Sequence, residues 1–283
     1  MYGSPPAPYP RRVVCLTAET TEIAFALGVG DRVVGVPGTA RRPPEARQRP
    51  RIGGFTTVHL PKILDLAPDL VLAFSDLQAD AVRELVRAGV PVLALNQRSV
   101  TEVFQAILLI GGALGREDAA RGLVADMEDE IRQVREFSSM WLDRPRVYFE
   151  EWPDPPIAGI RWVSELIQIA GGQDIFPELR ESREARGRIV SPEEVVRRDP
   201  QIVVASWCGK PVDLESIRRR PGWAAISAVR SGRLHALDPA DILAPGPSIL
   251  RGLRRLHELV QACIAGESGP AAVTSTDDFE DDL

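Results

Sequence analysis

Short apolar runs alternate with amphipathic stretches along most of the chain. The runs RVVCL (12–16), LVLAF (70–74), RVYF (146–149) and IVVAS (202–206) have the length and branched side chains of buried strands. Segments with apolar residues three or four positions apart lie next to them, which is typical of amphipathic helices. Strands that alternate with helices predict parallel βαβ units.

Two parts of this pattern repeat. VHLPKILDLAPDLVLAF (58–74) aligns without gaps to VSPEEVVRRDPQIVVAS (190–206), and each copy reads as a short helix, a proline and an apolar strand. TEIAFALG (21–28) resembles SELIQIAGG (164–172), and a glycine ends the predicted helix in both. The repeats predict two similar α/β lobes, each with a central, mostly parallel sheet.

One long amphipathic helix is predicted between the lobes, over residues 116–140. Its apolar residues recur every three or four positions and predict the buried face: Ala119, Leu123, Met127, Ile131 and Val134. At 1.5 Å per residue this helix would span roughly 35 Å. A connection of this kind is stiff, so we expect little movement of the lobes when a ligand binds.

The predicted boundaries follow from these segments and from composition. A Pro-rich start and a small, polar, acidic end both predict loose chain. We predict a flexible N-terminus (1–10), an N-terminal lobe (11–114), a linking helix (115–140), a C-terminal lobe (141–266) and a disordered acidic tail (267–283).

Composition excludes some classes of function. The formal net charge is −6, and the basic residues are arginine except for Lys62 and Lys210, so nucleic-acid binding is disfavoured. Three widely spaced cysteines form neither a disulfide framework nor a zinc motif. The printed N-terminus lacks the apolar core of a signal peptide, and no stretch is long and apolar enough to span a membrane. The expected location is cytoplasmic as written, or periplasmic or cell-surface if a leader has been removed.

Several phrases in this order resemble one known family. They are VVCLTAETTEIAFALGVGDRVVGV, PRIGGFTTVHLPKILDLAPDLVLAF, WVSELIQIAGGQDIF and VSPEEVVRRDPQIVV. Together they resemble the helical-backbone (class III) substrate-binding proteins of ABC importers, and within that class the cobalamin-binding proteins. The resemblance covers roughly residues 11–265. It implies two lobes joined by one long helix and a ligand cleft between them.

The resemblance also implies partners. One carboxylate on each lobe of such a protein docks on arginines of the permease, and the matching positions here are Asp80 and Glu193. Ser191 and Glu194 read as a capping box, which would leave Glu193 exposed. The chain departs from the cobalamin binders at Phe74 and Gly187, where tryptophans are expected. It departs again at Ala244, where a basic residue is expected.

The stretch EEWPDPPIAGIRW (150–162) raises the question of catalysis. Successive side chains of a strand point to opposite faces, so Glu150 and Glu151 would not converge on one substrate atom. We expect one glutamate to be a solvated rim group and the other to bond nearby backbone. The PDPPIAG segment (153–159) predicts a stiff loop rather than a strand.

Aromatic residues favour a binding site. Ligands of open α/β sheets bind beyond the carboxyl ends of the strands, where flat apolar side chains suit a planar ligand. We predict these ligand-binding residues: Phe55, Phe74, Glu151, Trp152, Trp162, Trp207 and Cys208. Trp152 is the strongest candidate among them, whereas Trp223 reads as core. Arginines of the 41–51 loop are further candidates, with a solvated role as the alternative.

A metal site or an enzyme is the competing hypothesis. His59, Cys208 and Glu151 are the ligands that it would use, while His235 and His257 are isolated in the sequence. A corrin or siderophore brings its metal already coordinated, so no intrinsic cofactor and no catalytic residue are predicted.

The sequence therefore predicts a non-enzymatic, monomeric binder of a cobalamin-like corrinoid, for uptake, carriage or sequestration. The alternatives are ferric-siderophore or haem binding by the same fold, and an interaction protein with a vestigial cleft.

Overall fold

A computed structural model describes residues 9–269 of the chain. Its strands are β1 (Val13–Cys15), β2 (Val33–Gly35), β3 (Leu70–Phe74), β4 (Val92–Leu95), β5 (Arg146–Pro153), β6 (Pro156–Ala158), β7 (Gln173–Asp174), β8 (Ile202–Ala205) and β9 (Leu234–Ala236). Its α-helices are α1 (Ala18–Ala26), α2 (Leu60–Asp65), α3 (Ala79–Arg87), α4 (Val100–Leu114), α5 (Glu117–Ser139), α6 (Arg161–Ile169), α7 (Pro192–Arg198), α8 (Leu214–Arg218), α9 (Ser227–Arg230), α10 (Pro239–Ile242) and α11 (Ile249–Ile264).

The chain divides into two compact units. The first unit runs to Asp129 and also includes the short segment Ala244–Ser248. The second unit comprises Glu130–Leu243 and the chain from Ile249 onward. Each unit has an α/β fold with its own sheet, and the boundary at Asp129 lies inside α5. The predicted fold class is confirmed.

The first unit has a four-stranded sheet in the order β2-β1-β3-β4, and every pair is parallel. All five residues of β3 are buried, which explains why its sequence is continuously apolar. Helix α4 starts at a capping box in which Ser99 accepts from the Glu102 N–H, and it ends at Gly115 in the left-handed region.

The second unit has the strand order β6-β5-β8-β9, and β7 also pairs with β5. Strand β7 meets the start of β5 in parallel, whereas β6 meets the end of β5 in antiparallel register. Strands β8 and β9 continue the parallel sheet. A cluster of buried side chains, including Tyr148, Trp207 and Trp223, fills one face of this unit.

The internal repeat predicts corresponding elements, and the structure confirms them. Helix α2 leads to β3, and helix α7 leads to β8. At the matched positions Ala67 and Asp199 the backbone adopts a positive φ of 43° and 44°, directly before a proline in each unit. The predicted glycine ends of α1 and α6 are confirmed as well, because Gly28 and Gly171 have φ of 72° and 94°.

The long helix α5 covers 23 residues, close to the predicted range. Its predicted buried face is wrong at its start, because Ala119 is exposed and Ala120 is buried. Met127 and Ile131 are buried as expected. A 3.6-residue period fits two neighbouring registers over the first two turns, so the apolar pattern alone did not choose between them.

Parts of the predicted boundaries lie outside the described residues. These are residues 1–8 of the flexible N-terminus and residues 270–283 of the acidic tail. The remaining lobe limits stay a prediction. Within residues 9–269, no helix has the length and apolar character needed to cross a membrane.

Candidate functional site

The stretch that raised the question of catalysis forms a β-hairpin in the second unit. Strand β5 continues through Glu150, Glu151 and Trp152 to Pro153, and β6 turns back along it. The expectation of a loop at 153–159 is therefore wrong. Prolines are tolerated here because β6 lies at the edge of the sheet, where a ladder donor is not needed.

Glu150 is fully buried and ion-paired. Its carboxylate accepts from Arg220, with Nη2 2.9 Å from Oε1, and also from the Tyr148 hydroxyl and the Trp207 indole N–H, each at 3.2 Å. Burial, followed by the adjacent Glu150 charge, raises the pKa of Tyr148 well above its usual value. Burial alone would lower the pKa of Arg220, but its bonds to Glu150 outweigh that effect and raise it.

Glu151 belongs to a second, separate ion pair. Its two oxygens accept from Arg188 Nη1 and Nη2 at 2.5 and 3.2 Å, and Oε2 also accepts from the Ile160 N–H at 3.1 Å. Arg188 donates further to the Ala158 carbonyl and is itself buried. The expectation of a solvated rim glutamate is wrong, because both carboxylates are held by buried or half-buried arginines.

Trp152 is half-buried near the end of β5. Its indole N–H donates to the Asp154 carbonyl at 3.0 Å, which fixes the ring relative to the hairpin turn. The Lys210 ammonium lies 4.4 Å from the ring centroid, within the range of a cation–π contact. Cys208, in the same segment as Lys210, is exposed.

The other predicted tryptophans are buried. Trp162 donates its indole N–H to the Ile242 carbonyl at 2.8 Å, and Trp207 packs in the core cluster and bonds Glu150. Both side chains support the frame of the second unit, and their predicted ligand contacts stay predictions. Trp223 lies in the core, as its sequence context indicated.

In the first unit, Phe55 and Phe74 lie together where β3 ends. Their ring centroids are 6.5 Å apart, and the Arg98 guanidinium carbon lies 5.2 Å from the Phe74 ring centroid. The side-chain amide of Gln78 bonds the backbone next to these two rings. It accepts from the Phe74 N–H and donates to the carbonyls of Leu16 and Phe55. The structure thus brings together two predicted aromatics with an amide that sequence reasoning missed.

Three arginines of the 41–51 loop bond backbone carbonyls of the first unit. Arg49 donates to the Gly30 carbonyl, Arg51 to the carbonyls of Pro37 and Ala40, and Arg47 to the Arg41 carbonyl. These bonds stabilise the loop, and Arg47 is also exposed to solvent. A ligand contact of the loop arginines stays a prediction.

Asp80 and Glu193, the predicted docking residues, are both exposed on helices. Asp80 pairs with Arg83 on the exposed side of α3, at 2.9 Å. Ser191 caps α7 by accepting from the Glu194 N–H, as expected. The Glu194 carboxylate bonds Arg197 and Arg198 rather than the cap, and bonds to these arginines lower the pKa of Glu194 to about 2.

The described residues provide no cluster of ligands for the competing metal hypothesis. Within residues 9–269, no group of three or more His, Cys, Asp or Glu side chains is placed to hold a metal ion. Glu151 of the proposed set is paired with Arg188, and Cys208 and His59 are exposed. Burial and the charge of Arg255 lower the pKa of His235 to about 4, which keeps that ring neutral.

Sequence reasoning missed three cations of this region. Arg188 and Arg220 pair with glutamates 37 and 70 positions away in the chain, and local patterns carry no signal for such distant pairs. Lys210 had one signal, since it is one of only two lysines in an arginine-rich chain. The glycine at position 187, where the family resemblance implies a tryptophan, has a structural explanation. A Cβ there would lie 2.0 Å from the Ser182 hydroxyl oxygen.

Two α/β units with a boundary inside one long helix define the helical-backbone class of substrate-binding proteins. The chain belongs to the periplasmic binding protein family, whose family model matches residues 13–240. That family consists of substrate-binding proteins.

Relatives match over most of their length. An uncharacterized ABC transporter substrate-binding lipoprotein, YvrC of Bacillus subtilis, is 30% identical over 89% of this chain and 80% of its own. The vitamin B12-binding protein of Vibrio cholerae is 26% identical over 88% of this chain and 89% of its own. Among solved structures, the periplasmic heme-binding protein RhuT of Roseiflexus sp. RS-1 has a TM-score of 0.75 at 28% identity, covering 90% of this chain and 98% of that one.

Proposed function

We propose that this protein binds a cobalamin-like corrinoid without changing it chemically and delivers it to an ABC permease. The similarity to a vitamin B12-binding protein extends over 88% of the chain, so it is not confined to one shared motif. No intrinsic cofactor is needed, because the ligand brings its own coordinated metal.

The observation that carries this proposal is the state of the two glutamates beside Trp152. Each carboxylate is held by its own arginine, so neither is placed to act as an acid, a base or a metal ligand without breaking a buried pair. The same pairs fix the end of β5, and Trp152 offers a half-buried ring there. A fixed aromatic surface loses little entropy when a planar ligand packs on it.

Haem is the second candidate ligand. The solved heme-binding relative has 28% sequence identity, which is comparable to that of the vitamin B12-binding relative. Corrin and porphyrin rings are both flat and largely apolar, so an aromatic side chain alone does not discriminate between them. A ferric siderophore remains the third ligand to be tested.

The binding test compares cobalamin, haemin and a ferric siderophore by isothermal titration with the purified chain. We expect one of them to bind and to be recovered unchanged, with cobalamin the tightest. Trp152→Leu is expected to weaken binding, whereas Trp141→Leu is the matched control. Trp141 is also half-buried, but it stacks on His257, away from the β5 end that carries Trp152.

Other outcomes would redirect the proposal. Tight haemin binding without cobalamin binding selects the second candidate. A stoichiometric metal that chelators remove from the purified protein favours a metal carrier or enzyme. Absence of binding by all three ligands favours an interaction protein with a vestigial cleft, and binding that is unchanged in Trp152→Leu places the ligand away from Trp152.

Delivery to a permease rests on exposed carboxylates. We propose that Asp80 and Glu193 dock on permease arginines, as the family resemblance implies. Charge reversal at either position, Asp80→Lys or Glu193→Lys, is expected to abolish uptake in cells while leaving ligand affinity unchanged. Cell fractionation of the native gene product tests the location, and a product found only in the cytoplasm would favour carriage or sequestration over uptake.

A further inference from the structure

Lys210 occupies an unusual position for a surface lysine. It follows β8, and Ala205 at the end of β8 pairs with Glu150 of β5, so the two strand ends lie side by side. The ammonium of Lys210 lies 4.4 Å from the centroid of the Trp152 ring. An ammonium above an aromatic face exchanges part of its water for the ring, which makes a later ion pair less costly in desolvation.

The ring beneath this ammonium is fixed. The Trp152 indole N–H bonds the Asp154 carbonyl, and the backbone of Trp152 pairs with Ile157 across the hairpin. The fold of the second unit therefore fixes the ring, and the flexible stem of Lys210 places the ammonium over it.

The carboxylates of the adjacent strand end are paired with arginines, which leaves the Lys210 ammonium available to a ligand. Glu150 is committed to Arg220 and Glu151 to Arg188, and within residues 9–269 no described ion pair involves Lys210. Asp154, in the hairpin turn, interacts electrostatically with Arg220. Asp213, three residues after Lys210, accepts from the backbone N–H groups of Glu215 and Ser216. Lys210 is therefore a positive charge next to an aromatic ring, beside two ion pairs that are already neutral.

We propose that Trp152 and Lys210 together select a planar chelate that carries an anionic side arm. The ring of the ligand contacts Trp152, and a carboxylate or phosphodiester of its side arm pairs with the Lys210 ammonium. The long flexible stem and the three donors of a lysine suit such an arm, whose position differs between ligands. This inference rests on the proposed function and adds the charge of the ligand as the feature that is recognised.

The test uses pairs of ligands that differ in that charge. Cobalamin is compared with dicyanocobinamide, which lacks the phosphodiester, and haemin is compared with its dimethyl ester. Affinities are measured for the wild-type chain, for Lys210→Gln, and for Lys62→Gln as the control. Lys62 is the other lysine of the chain and is exposed on α2 of the first unit.

We expect Lys210→Gln to weaken the charged member of the binding pair about tenfold, on the scale of one charge-assisted hydrogen bond. The uncharged member should change less than about twofold by the same arithmetic. The wild-type preference should also shrink as salt is raised, because the pair is solvent-accessible. Lys62→Gln should behave as wild type.

The outcomes separate this inference from the proposed function. If the wild-type chain binds a chelate but Lys210→Gln weakens both members equally, or neither, the charge selection is overturned and the binding function stands. If the wild-type chain binds no chelate at all, both are overturned. Which pair shows the effect tells a carboxylate arm from a phosphodiester arm.

Discussion

The two units make the same contacts at the amino ends of their sheets and different contacts at the carboxyl ends. Arg12, just before β1, donates to the Leu66 carbonyl at the end of α2, and Arg146, which begins β5, donates to the Asp199 carbonyl at the end of α7. Both repeats therefore have the same arginine-to-carbonyl contact at the amino ends of their sheets.

In each unit a side-chain oxygen also accepts a hydrogen bond from the backbone N–H of this arginine. Asp69 accepts from the Arg12 backbone N–H, and its repeat partner Gln201 accepts from the Arg146 backbone N–H. We call each arginine with its side-chain acceptor an amino-end clamp. The two clamps hold a helix end against the start of a strand in both units.

At the carboxyl ends the units diverge. The first unit joins its strand ends with the neutral amide of Gln78, whereas the second unit uses the ion pairs Glu150–Arg220 and Glu151–Arg188. All five tryptophans of the chain also lie in the second unit, at positions 141, 152, 162, 207 and 223. The units therefore share their amino-end contacts and differ at the carboxyl ends, where the proposed ligand contact of Trp152 lies.

Because the tryptophans are confined to one unit, their fluorescence reports the unfolding of the second unit. Far-UV circular dichroism reports both units, since each contains helices and strands. The two signals recorded on one sample thus compare the units directly in the experiments below.

The largest effect is expected from Arg220→Ala. It leaves the fully buried Glu150 without its cation, and breaking a buried pair in this way costs about 3–5 kcal/mol. The free energy of unfolding from tryptophan fluorescence should fall by that amount. Arg220→Met combined with Glu150→Leu should recover much of it, because no buried charge is left. A loss below about 1 kcal/mol, the range of an exposed pair, would show that the pair is not buried in solution.

The next effect concerns a buried carboxyl of the first unit that has no arginine. Burial raises the pKa of Glu19 from 4.5 to about 7, and no described group bonds its Oε1. The folded state therefore holds the proton more tightly, and stability is lost as pH rises from about 4.5 through about 7. Glu19→Gln removes this loss and should stabilise the first unit at pH 8 by on the order of 3 kcal/mol, but little at pH 4.5.

The measurement for Glu19→Gln is denaturant unfolding followed by circular dichroism across that pH range, with fluorescence as the control for the second unit. A constant difference between variant and wild type at all pH values would contradict the assigned titration.

A smaller effect is expected from Gln78→Leu. The change leaves the Phe74 N–H and the carbonyls of Phe55 and Leu16 without a side-chain partner, at about 1–3 kcal/mol for such buried groups. The circular dichroism transition should shift, while the tryptophan transition should not. Equal shifts of both signals would show that the two units unfold as one.

The smallest effects are expected at the amino-end clamps, which the two units share. Arg12→Ala and Arg146→Ala each remove a guanidinium from carbonyls at a helix end, and each is expected to cost about 1 kcal/mol. Arg12→Ala should act on the first unit and Arg146→Ala on the second. Costs that differ several-fold would show that the two amino-end clamps are not equivalent.

Sequence patterns predicted the parts of the fold that depend on local chemistry. The repeat, the long helix and the strands β3 and β8 followed from apolar spacing and from proline positions. The buried face of α5 was wrong by one residue at Ala119, because two registers fit the same pattern. The hairpin at β6 was missed, since three prolines normally oppose a strand and only its edge position permits them.

The candidate site was less predictable for a physical reason. Trp152 was predicted because its neighbours are unlike those of a core residue, and the structure leaves its ring half-buried while its ligand contact stays a prediction. The partners of the two adjacent glutamates were not found, because ion pairs depend on which distant segments the fold brings together. Gln78 carries no signal in the sequence, and only its buried amide reveals its role.

The central claim is that this chain binds a corrin or porphyrin chelate and leaves it chemically unchanged. The most direct measurement is a titration of the purified chain with cobalamin and haemin, with recovery of the ligand and its identification by absorbance and mass. The account predicts saturable one-to-one binding of one of them, recovery of the intact ligand, and weaker binding in Trp152→Leu than in Trp141→Leu. Absence of binding to either chelate, or recovery of a converted product, would contradict it.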